Sequence, residues 1–591
     1  MIRQNALRPE SGYELPAGST REESMPVPGS AVFELSDRFT EEYAKACPVL
    51  ATMAGIPRPI SAWDDYSPEG ARDVEALCRR TRDELSKISL DGLAPRERDR
   101  EGLARDVLRD FLDERVEFFE TKDNLLDLNS IDSPAQHLRT VFDLMGTKTA
   151  DEWSAIATRL ATIGSAFGGY RRALEDGSNG KVSSRQVTAV IQQMDAHAAD
   201  TSSYRELLTT FDESPLAGDA SLRADLERGI TNARAASADF GGFLRGYAEG
   251  APSKDAVGEE RYVRAVRRFL GTKLDLRETY AWGFDEIRRI ERDMAECAKK
   301  VRIDAPNSDV RSVIAALQAD PARQIFDRDA FLAFVRERQL RALADLGGTH
   351  FDIPEPIRHV DVRLGPKGGP LGAYYVPPNE DFSRPGSIFY SPAEGAPYLV
   401  FSELTTAYHE GFPGHHLQCG LQVYFSESLS RFHRLFVVCS GYAEGWALYA
   451  ENLMAELGYF EEPEYLLGMY MAKLFRACRV VADIGTHLEY TIPTDFDFHP
   501  GETWNWALCA EILATRGMMP LANAESEATR YTGWPAQAIS YKVGERVITD
   551  LRKDCVRGDF TLRNFHDAVL GTGSVGLDIL KERVRARTTL S

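Results

Sequence analysis

The sequence lacks the features that mark membrane-spanning, secreted or disulfide-bonded proteins. It has no run of about 18 uncharged apolar residues, so we predict no membrane-spanning helix. Its first dozen residues contain neither an apolar core nor a small-residue cleavage pattern, which predicts no secretory signal and a cytoplasmic protein. The eight cysteines are scattered without a Cys-x-x-Cys pair. That spacing argues against a disulfide framework and against a thiolate zinc site.

An excess of basic residues is also missing. The formal net charge is -20 and the isoelectric point is near 5.2, which argues against nucleic acid or an anionic membrane as a partner. We therefore expect a small-molecule or short-peptide substrate, and the sequence defines no oligomeric state. With 43% hydrophobic and 27% charged residues in a chain of 591, a large globular core is available.

Hydrophobic periodicity divides the chain into a flexible arm and one long helical unit. Residues 1–30 are rich in Pro, Gly, Ser and Glu, which predicts a flexible N-terminal arm. Residues 31–591 read as a single helical catalytic domain, with a mostly helical lobe at 31–350 and the active-site portion at 351–591. Amphipathic segments predict helices over 95–120, 150–174, 220–249, 259–300 and 328–346.

A short stretch between 352 and 400 differs from this helical pattern. Prolines and glycines are dense there, and alternating runs at 357–363, 373–376 and 387–390 predict a small antiparallel sheet. Helical periodicity then returns, and predicts helices over 431–457, 464–489, 503–515, 525–531, 537–550 and 563–570. The predicted fold class is mainly α with one small antiparallel sheet near the active-site helix.

The segment that carries chemistry is a group of three histidines and a glutamate, His409, Glu410, His415 and His416. Helical zinc sites usually take His-Glu-x-x-His, with both histidines on one face and the glutamate as general base. On an unbroken helix His416 would lie about 10 Å along the axis from His409, and His415 would point away.

A break in the helix would resolve this conflict. The position four residues after His409 is Pro413, followed by Gly414. Proline disrupts a helix and glycine admits unusual backbone angles, so the chain can turn here and bring a later histidine back. The residues alone leave both His415 and His416 open as the second histidine ligand.

A second carboxylate follows on an apolar helix. Glu444 lies 35 positions after His409, among Ala, Gly and Trp, and helical zinc peptidases take a third ligand from such a downstream helix. Glu451 shares its helix face and would hydrogen-bond a ligand. The alternative for either glutamate is a salt bridge to an arginine.

Further polar residues suit substrate contacts. Arg479, Asp483 and His487 are spaced i, i+4, i+8 on one helix face. An arginine fixed by an aspartate suits a substrate carboxylate, and a histidine can donate a hydrogen bond to an oxyanion. An intrahelical ion pair with a core histidine is the alternative.

A later segment carries two tyrosines and a lysine. The phenol of Tyr541 or of Tyr531 would stabilise an oxyanion, although a tyrosine on an apolar helix is more often part of the core. Tyr531 and Lys542 are also predicted to contact substrate.

Four motifs in this order resemble the bacterial family called domain of unknown function 885. They are His-Glu-x-x-Pro-Gly-His-His-x-Gln, Glu-Gly-Trp-Ala-Leu-Tyr-x-Glu, Arg-x-x-Arg-x-x-x-Asp-x-Gly-x-His and Pro-x-Gln-Ala-x-x-Tyr-Lys-x-Gly, and the resemblance is strongest across 370–550. The family looks like distant kin of helical zinc carboxypeptidases and oligopeptidases of the gluzincin type. It implies a two-lobed helical metallopeptidase-like fold around a deep cleft, with one bound Zn²⁺.

The resemblance also implies roles for individual residues. His409 and His415 match the two histidine ligands, Glu444 the third ligand and Glu410 the general base, with His416 as the alternative ligand. Many members carry secretory or lipoprotein signals, whereas this chain shows none at its N-terminus. The stretch 488–506 looks longer than its counterpart in the family, which suggests an altered substrate pocket.

Together these observations predict a zinc-dependent hydrolase that cleaves an amide bond in a short peptide or acyl-amino-acid. It would be carboxypeptidase-like or biosynthetic, with His487 and Tyr541 as oxyanion donors and Arg479 as carboxylate contact. A non-hydrolytic metal-binding protein is one alternative. A metal-dependent lyase or transferase of secondary metabolism is another.

Overall fold

Helices make up most of the chain within the residues that the computed structural model describes, which are 30–307, 309–365, 372–391 and 395–588. The mainly helical class with a small sheet is thereby confirmed. The predicted flexible arm falls on residues 1–30, of which 1–29 lie outside the described residues. The two-lobed arrangement around a deep cleft and the division at residue 350 stay predictions.

The first half of the chain agrees with the predicted periodicity in all but one helix. The predicted helix over 259–300 is two helices, because Gly271 ends the first with a φ of 58° and Asp275 begins the second by accepting hydrogen bonds from the Arg277 and Glu278 amides. The helices are α1 (Ala31–Ala46), α2 (Pro48–Met53), α3 (Pro68–Leu85), α4 (Pro95–Glu120), α5 (Pro134–Thr140), α6 (Ala150–Asp176), α7 (Ser184–Ala198), α8 (Glu206–Asp212), α9 (Ala220–Ala248), α10 (Glu259–Leu270), α11 (Leu276–Ala298), α12 (Val310–Ala319) and α13 (Arg328–Leu346).

The predicted sheet is present, but it is mixed rather than antiparallel. Its strands are β2 (Asp361–Leu364), β3 (Gly372–Val376) and β4 (Ser387–Ser391), in the order β2-β4-β3. β4 runs antiparallel to β3 and parallel to β2, because it inserts between two strands that precede it in sequence. Two short strands, β1 (Gln324–Ile325) and β5 (Tyr398–Leu399), pair antiparallel elsewhere.

The second half of the chain carries the apolar helices. The predicted helix over 431–457 is broken after Phe436, because residues 437–439 are extended and the Cys439 amide donates to Ser574 Oγ at 2.8 Å. The helices are α14 (Val400–Glu410), α15 (His415–Tyr424), α16 (Arg431–Phe436), α17 (Ser440–Glu456), α18 (Pro463–Leu488), α19 (Trp506–Thr515), α20 (Leu521–Gly533), α21 (Ser540–Cys555), α22 (Leu562–Leu570) and α23 (Leu577–Thr588).

One close helix contact positions the functional segment. α17 and α21 cross with Gly445 against Gly544, and a Cβ on Gly544 would lie 1.9 Å from the Gly441 carbonyl oxygen. Only glycine permits this approach. It brings Glu444 of α17 close enough to Tyr541 of α21 for its charge to act on the phenol, and both helices contribute buried side chains to the largest apolar cluster of the described residues. Among the described residues, no helix combines the length and apolar character needed to cross a bilayer.

Buried His433 makes the fold sensitive to acid. Its Nε2 donates to the Ser574 carbonyl at 2.8 Å, its Nδ1 has no hydrogen-bond partner, and burial lowers its pKa to about 4. An unfolded histidine titrates near 6.5, so between pH 6.5 and pH 4 the unfolded chain gains a proton that the folded chain does not. Stability therefore falls as the pH drops through this window, by about 3 kcal/mol for this group.

Replacing His433 by Gln should keep the bond to Ser574 and remove this proton-linked loss. We expect the urea midpoint of His433→Gln to fall less steeply than that of the parent chain between pH 6.5 and pH 4, while both are flat from pH 7 to pH 8. Parallel curves for the two proteins across the acid range would contradict a neutral buried imidazole.

Candidate metal centre

The predicted break in the histidine segment is present. α14 ends at Glu410, and α15 begins at His415 after a turn that contains the cis peptide bond between Phe412 and Pro413. Inside the turn the Gly414 amide donates to the Tyr408 carbonyl at 3.1 Å. A Cβ on Gly414 would lie 2.0 Å from the His409 carbonyl oxygen, so glycine is required for this turn.

Residues far away in sequence hold the same turn. The Gln339 side chain of α13 accepts a hydrogen bond from the Phe412 amide at 2.6 Å and donates to the Ala407 carbonyl at 2.7 Å. The indole of Trp446 donates to the Pro413 carbonyl at 2.9 Å. Backbone groups that leave the helical ladder at the break thereby find partners, as buried polar groups must.

Two histidines and one glutamate meet across the turn. Glu444 Oε2 lies 3.3 Å from His409 Nε2 and 3.4 Å from His415 Nε2. The two imidazole rings are 4.8 Å apart between centroids and 84° apart in plane. One ligand atom from each residue lies within 4.8 Å of the other two. These three side chains form a candidate metal site.

Two of the three donor separations match those around a tetrahedral cation. Ligand atoms bound to zinc at about 2.0–2.1 Å lie about 3.3–3.4 Å apart in a tetrahedron, and Glu444 Oε2 lies at that separation from both imidazole nitrogens. The same oxygen is buried and makes no hydrogen bond, although a buried carboxylate oxygen needs a partner. A cation would supply it. The donor set suits zinc without singling out one metal.

Glu451 fixes the orientation of one histidine. Its Oε1 accepts a hydrogen bond from His409 Nδ1 at 2.7 Å, and its Oε2 accepts one from Thr405 Oγ1. With Nδ1 bonded to Glu451, Nε2 is the nitrogen that faces the cluster, an arrangement common among metal-binding histidines. Burial and the Arg476 charge disfavour protonation, yet Glu444 and Glu451 raise the pKa of His409 to about 9. The site therefore favours positive charge.

His416 does not belong to the cluster, which corrects its place as alternative ligand. Its Nε2 donates to the Ile357 carbonyl at 2.8 Å, and its Nδ1 accepts from the Tyr375 hydroxyl at 3.0 Å. Burial lowers the pKa of His416 to about 4, so the ring is neutral. Both ring nitrogens are therefore engaged, one by Ile357 and the other by Tyr375 of β3, so neither is available to bind a cation.

Two of the predicted catalytic residues lie beside the cluster. The Tyr541 ring stacks on the His409 ring at 6.3 Å between centroids and 12° between planes. Burial and the Glu444 charge raise the pKa of Tyr541, so its phenol keeps its proton as a donor. Burial also raises the pKa of Glu410, against the charges of His409 and His415.

The helix face of Arg479, Asp483 and His487 is arranged differently from the prediction. Asp483 accepts hydrogen bonds from the Tyr262 hydroxyl and the Ala536 amide, so it does not fix the arginine. Arg479 Nη2 instead donates to Glu527 at 3.1 Å.

The His487 ring is hydrogen-bonded to a backbone carbonyl. Its Nε2 donates to the Tyr531 carbonyl at 3.0 Å, and burial lowers its pKa to about 4. None of the contacts of His487 reaches the cluster, so the structure does not place it as an oxyanion donor.

Two predicted substrate contacts are occupied by the protein itself. The Tyr531 hydroxyl donates to Glu527 at 2.7 Å in the core. The Lys542 ammonium pairs with Glu286 at 2.7 Å and with Glu545, and its side chain is 2% exposed. A buried lysine needs such partners, and the structure gives it no route to a substrate.

Sequence reasoning missed Thr405 and Gln339. Thr405 precedes His409 by one helical turn, so helical spacing was a usable signal. Gln339 reaches the turn from a distant helix and leaves no local signal.

A cavity reaches the cluster from one side. It has a volume of about 410 Å³, and Glu444 and Ala443 of α17 lie in its wall together with Phe111 of α4 and Arg268 of α10. The Glu444 side chain is 18% exposed and that of His415 is 12% exposed. Of the three candidate ligands, Glu444 is the one that lies in the wall of this cavity.

The fold and the cluster define the class of this protein: it is mainly helical and carries a candidate His-His-Glu metal site. The chain belongs to the bacterial proteins of unknown function DUF885, whose family profile matches residues 48–584. The predicted family is thereby confirmed. No curated protein shows significant similarity to the chain.

Two solved structures share the fold. A chain from Colwellia psychrerythraea, assigned as a lipoprotein, is 22% identical with a TM-score of 0.81, over 96% of this chain and 100% of its own. A chain from Shewanella oneidensis, assigned as a lipoprotein of unknown function, is 19% identical with a TM-score of 0.69, over 93% of this chain and 99% of its own. At this identity the likeness shows the fold alone, and kinship with zinc peptidases stays a prediction.

These relatives overturn the predicted cytoplasmic location. Both are assigned as lipoproteins, and the prediction relied only on the composition of the first residues. A covalent lipid holds a protein at a membrane without a spanning helix, so hydropathy is a poor guide to this property.

Proposed function

We propose that the chain is a zinc-dependent hydrolase that cleaves an amide bond in a short peptide or acyl-amino-acid. The observation that carries the proposal is Glu444 Oε2, a buried oxygen without a hydrogen bond that lies within 3.4 Å of two imidazole nitrogens. Within the described residues no fourth side chain joins the three. Catalytic zinc sites keep such an open position, whereas structural sites are closed by four protein ligands.

Side chains around the centre supply the remaining functions. A zinc ion held by His409, His415 and Glu444 would lower the pKa of a water and polarise a carbonyl. Glu410 takes a proton from the attacking water and delivers it to the leaving amine. Its raised pKa suits that exchange. The Tyr541 phenol donates a hydrogen bond to the oxygen that becomes negative.

The alternatives differ in what supports them. A closed structural site would need His416 as fourth ligand, and its two hydrogen bonds to Ile357 and Tyr375 disfavour that. A lyase or transferase would use the same centre and is separated by product identification. The two related chains assigned as lipoproteins support a place in the cell envelope.

Metal removal tests the proposal. We expect about one equivalent of metal in purified protein by mass spectrometry, and hydrolysis of a mixed library of short peptides and acyl-amino-acids. Dialysis against a chelator should abolish hydrolysis, and one equivalent of Zn²⁺ should restore it. Undiminished hydrolysis by metal-free protein would contradict the proposal.

A pair of adjacent histidines gives the matched control. His415→Gln should weaken metal binding by about 10²-fold or more, because it removes a ligand. His416→Gln should retain the metal, because both ring nitrogens of His416 are bonded to Ile357 and Tyr375, outside the three candidate ligands. Equal metal loss in both variants would place the ligand set elsewhere.

A further inference from the structure

Two arginines of α18 share one aromatic ring with the candidate metal centre. The guanidinium carbons of Arg476 and Arg479 lie 5.8 Å and 4.6 Å from the centroid of the Tyr541 ring. The same ring stacks on His409 at 6.3 Å between centroids. Both cations are therefore separated from a candidate ligand by a single side chain.

Several N–H groups of these arginines have no acceptor. Nε and Nη1 of Arg479 are buried and make no hydrogen bond, and only Nη2 donates, to Glu527 at 3.1 Å. Arg479 is 7% exposed. Nη1 of Arg476 also makes no hydrogen bond, although it lies 3.5 Å from Glu451 Oε1. Buried charged donors without acceptors are costly, and their presence beside the candidate metal site points to a ligand that supplies acceptors.

The neighbouring carboxylates do not satisfy these donors. Glu451 uses both oxygens on His409 and Thr405. Glu527 accepts from Arg530 through both of its oxygens and also from the Tyr531 hydroxyl. Both carboxylates are thus already engaged, and the N–H groups of Arg476 and Arg479 named above stay available to a further acceptor.

We propose that Arg476 and Arg479 bind the free C-terminal carboxylate of the substrate. This inference rests on the proposed hydrolase function and narrows its substrate class. Arginine pairs suit a planar carboxylate because each can donate two parallel hydrogen bonds. With the carboxylate held there, the last amide bond of the substrate lies toward the metal centre. Water adds across that bond, so the acyl carbon gains a hydroxyl, the C–N bond breaks and the amine leaves with the proton as a free amino acid.

A pair of peptide libraries tests the assignment on the metal-loaded chain. One library contains mixed tripeptides with free C-terminal carboxylates, and the other contains the same tripeptides as C-terminal amides. We expect the parent chain to release C-terminal residues from the acids at least about tenfold faster than from the amides, because each charge-assisted bond contributes about that factor. Equal rates on the two libraries would overturn the carboxylate subsite.

Arginine variants localise the effect. Arg479→Gln should slow cleavage of the acids by about 10- to 100-fold, change the amides little and leave metal content unchanged. Arg476→Gln should act in the same direction, and Arg479→Lys should restore part of the rate through its charge. Arg516→Gln is the matched control, because Arg516 also lies over an aromatic ring, Phe496 at 4.5 Å, and pairs with Glu291 elsewhere.

The outcomes separate this inference from the hydrolase proposal. If acids and amides are cleaved equally and Glu410→Gln stops both, the hydrolase stands and the subsite fails. If the metal-loaded chain cleaves neither tripeptide library and no acyl-amino-acid, both are contradicted. If Arg479→Gln does not fold, the acid-to-amide ratio of the parent chain still decides.

Discussion

Replacing Glu410 by Gln is expected to leave metal bound and to reduce hydrolysis by about 10²- to 10⁴-fold, the range for loss of a general base. Gln has the same shape as Glu but cannot accept the proton of the attacking water. Glu410 does not belong to the three ligand side chains, so the metal should stay. Metal content by mass spectrometry and turnover on the peptide libraries are measured on the same preparation.

Another glutamate of the same helix is the matched control for this variant. Burial raises the pKa of Glu403 to about 7, so this carboxyl too is held in a nonpolar setting, two turns before Glu410. Glu403→Gln should keep nearly full turnover, because Glu403 is outside the cluster. If Glu410→Gln retained full turnover, Glu410 would not be the base. If it lost metal, its role would be in binding.

The local geometry of the site could be predicted from the sequence, because its causes are local. Pro413 and Gly414 predict the helix break that the structure shows. Helical periodicity likewise predicts α4 and α13 at their observed ends. In these cases the determining residues lie within a turn or two of the feature, so spacing carries the information.

Features decided by distant partners could not be predicted. Spacing alone left both His415 and His416 open as the second ligand, and Ile357 and Tyr375 decide between them because they bond both nitrogens of His416. The i, i+4 spacing of Arg479 and Asp483 suggested an ion pair. Instead, Asp483 accepts a hydrogen bond from Tyr262 of α10, and Arg479 donates one to Glu527 of α20. Competition between partners of similar chemistry is settled by tertiary packing.

The direction of β2 was missed for the same reason. Alternation along each strand identifies a half-buried strand, but it does not say which neighbour the strand takes. β4 enters between β2 and β3 and pairs with both. The functional consequence is small, since Tyr375 of β3 still reaches His416.

The second large effect is expected at Gly414, where Gly414→Ala should weaken metal binding by about 10²-fold or more. An added Cβ would lie 2.0 Å from the His409 carbonyl oxygen and 2.4 Å from that of Tyr408. Both are backbone atoms of α14, so relief of the contact must move the helix end that carries His409 or the turn that leads to His415. A shift of about 1 Å at such a centre costs about 10²-fold in function.

Stability should change as well, because the same contact overfills a buried turn. We expect a loss of about 1–3 kcal/mol in the free energy of unfolding, the usual range for overpacking. Gly242→Ala is the matched control, since a Cβ there meets no atom within 4 Å on α9. It should raise stability by about 0.5–1 kcal/mol through helix propensity.

Metal competition with a chromophoric chelator and urea unfolding of the metal-free proteins separate the two effects. Because the ligand side chains remain in Gly414→Ala, weaker metal binding in a folded variant shows that the turn positions His409 against His415. We expect Gly242→Ala to bind metal with the affinity of the parent chain, whether or not its stability changes. Parental affinity in Gly414→Ala as well would mean that the turn relaxes without moving the ligands, and that the glycine at the break is not what holds the centre together.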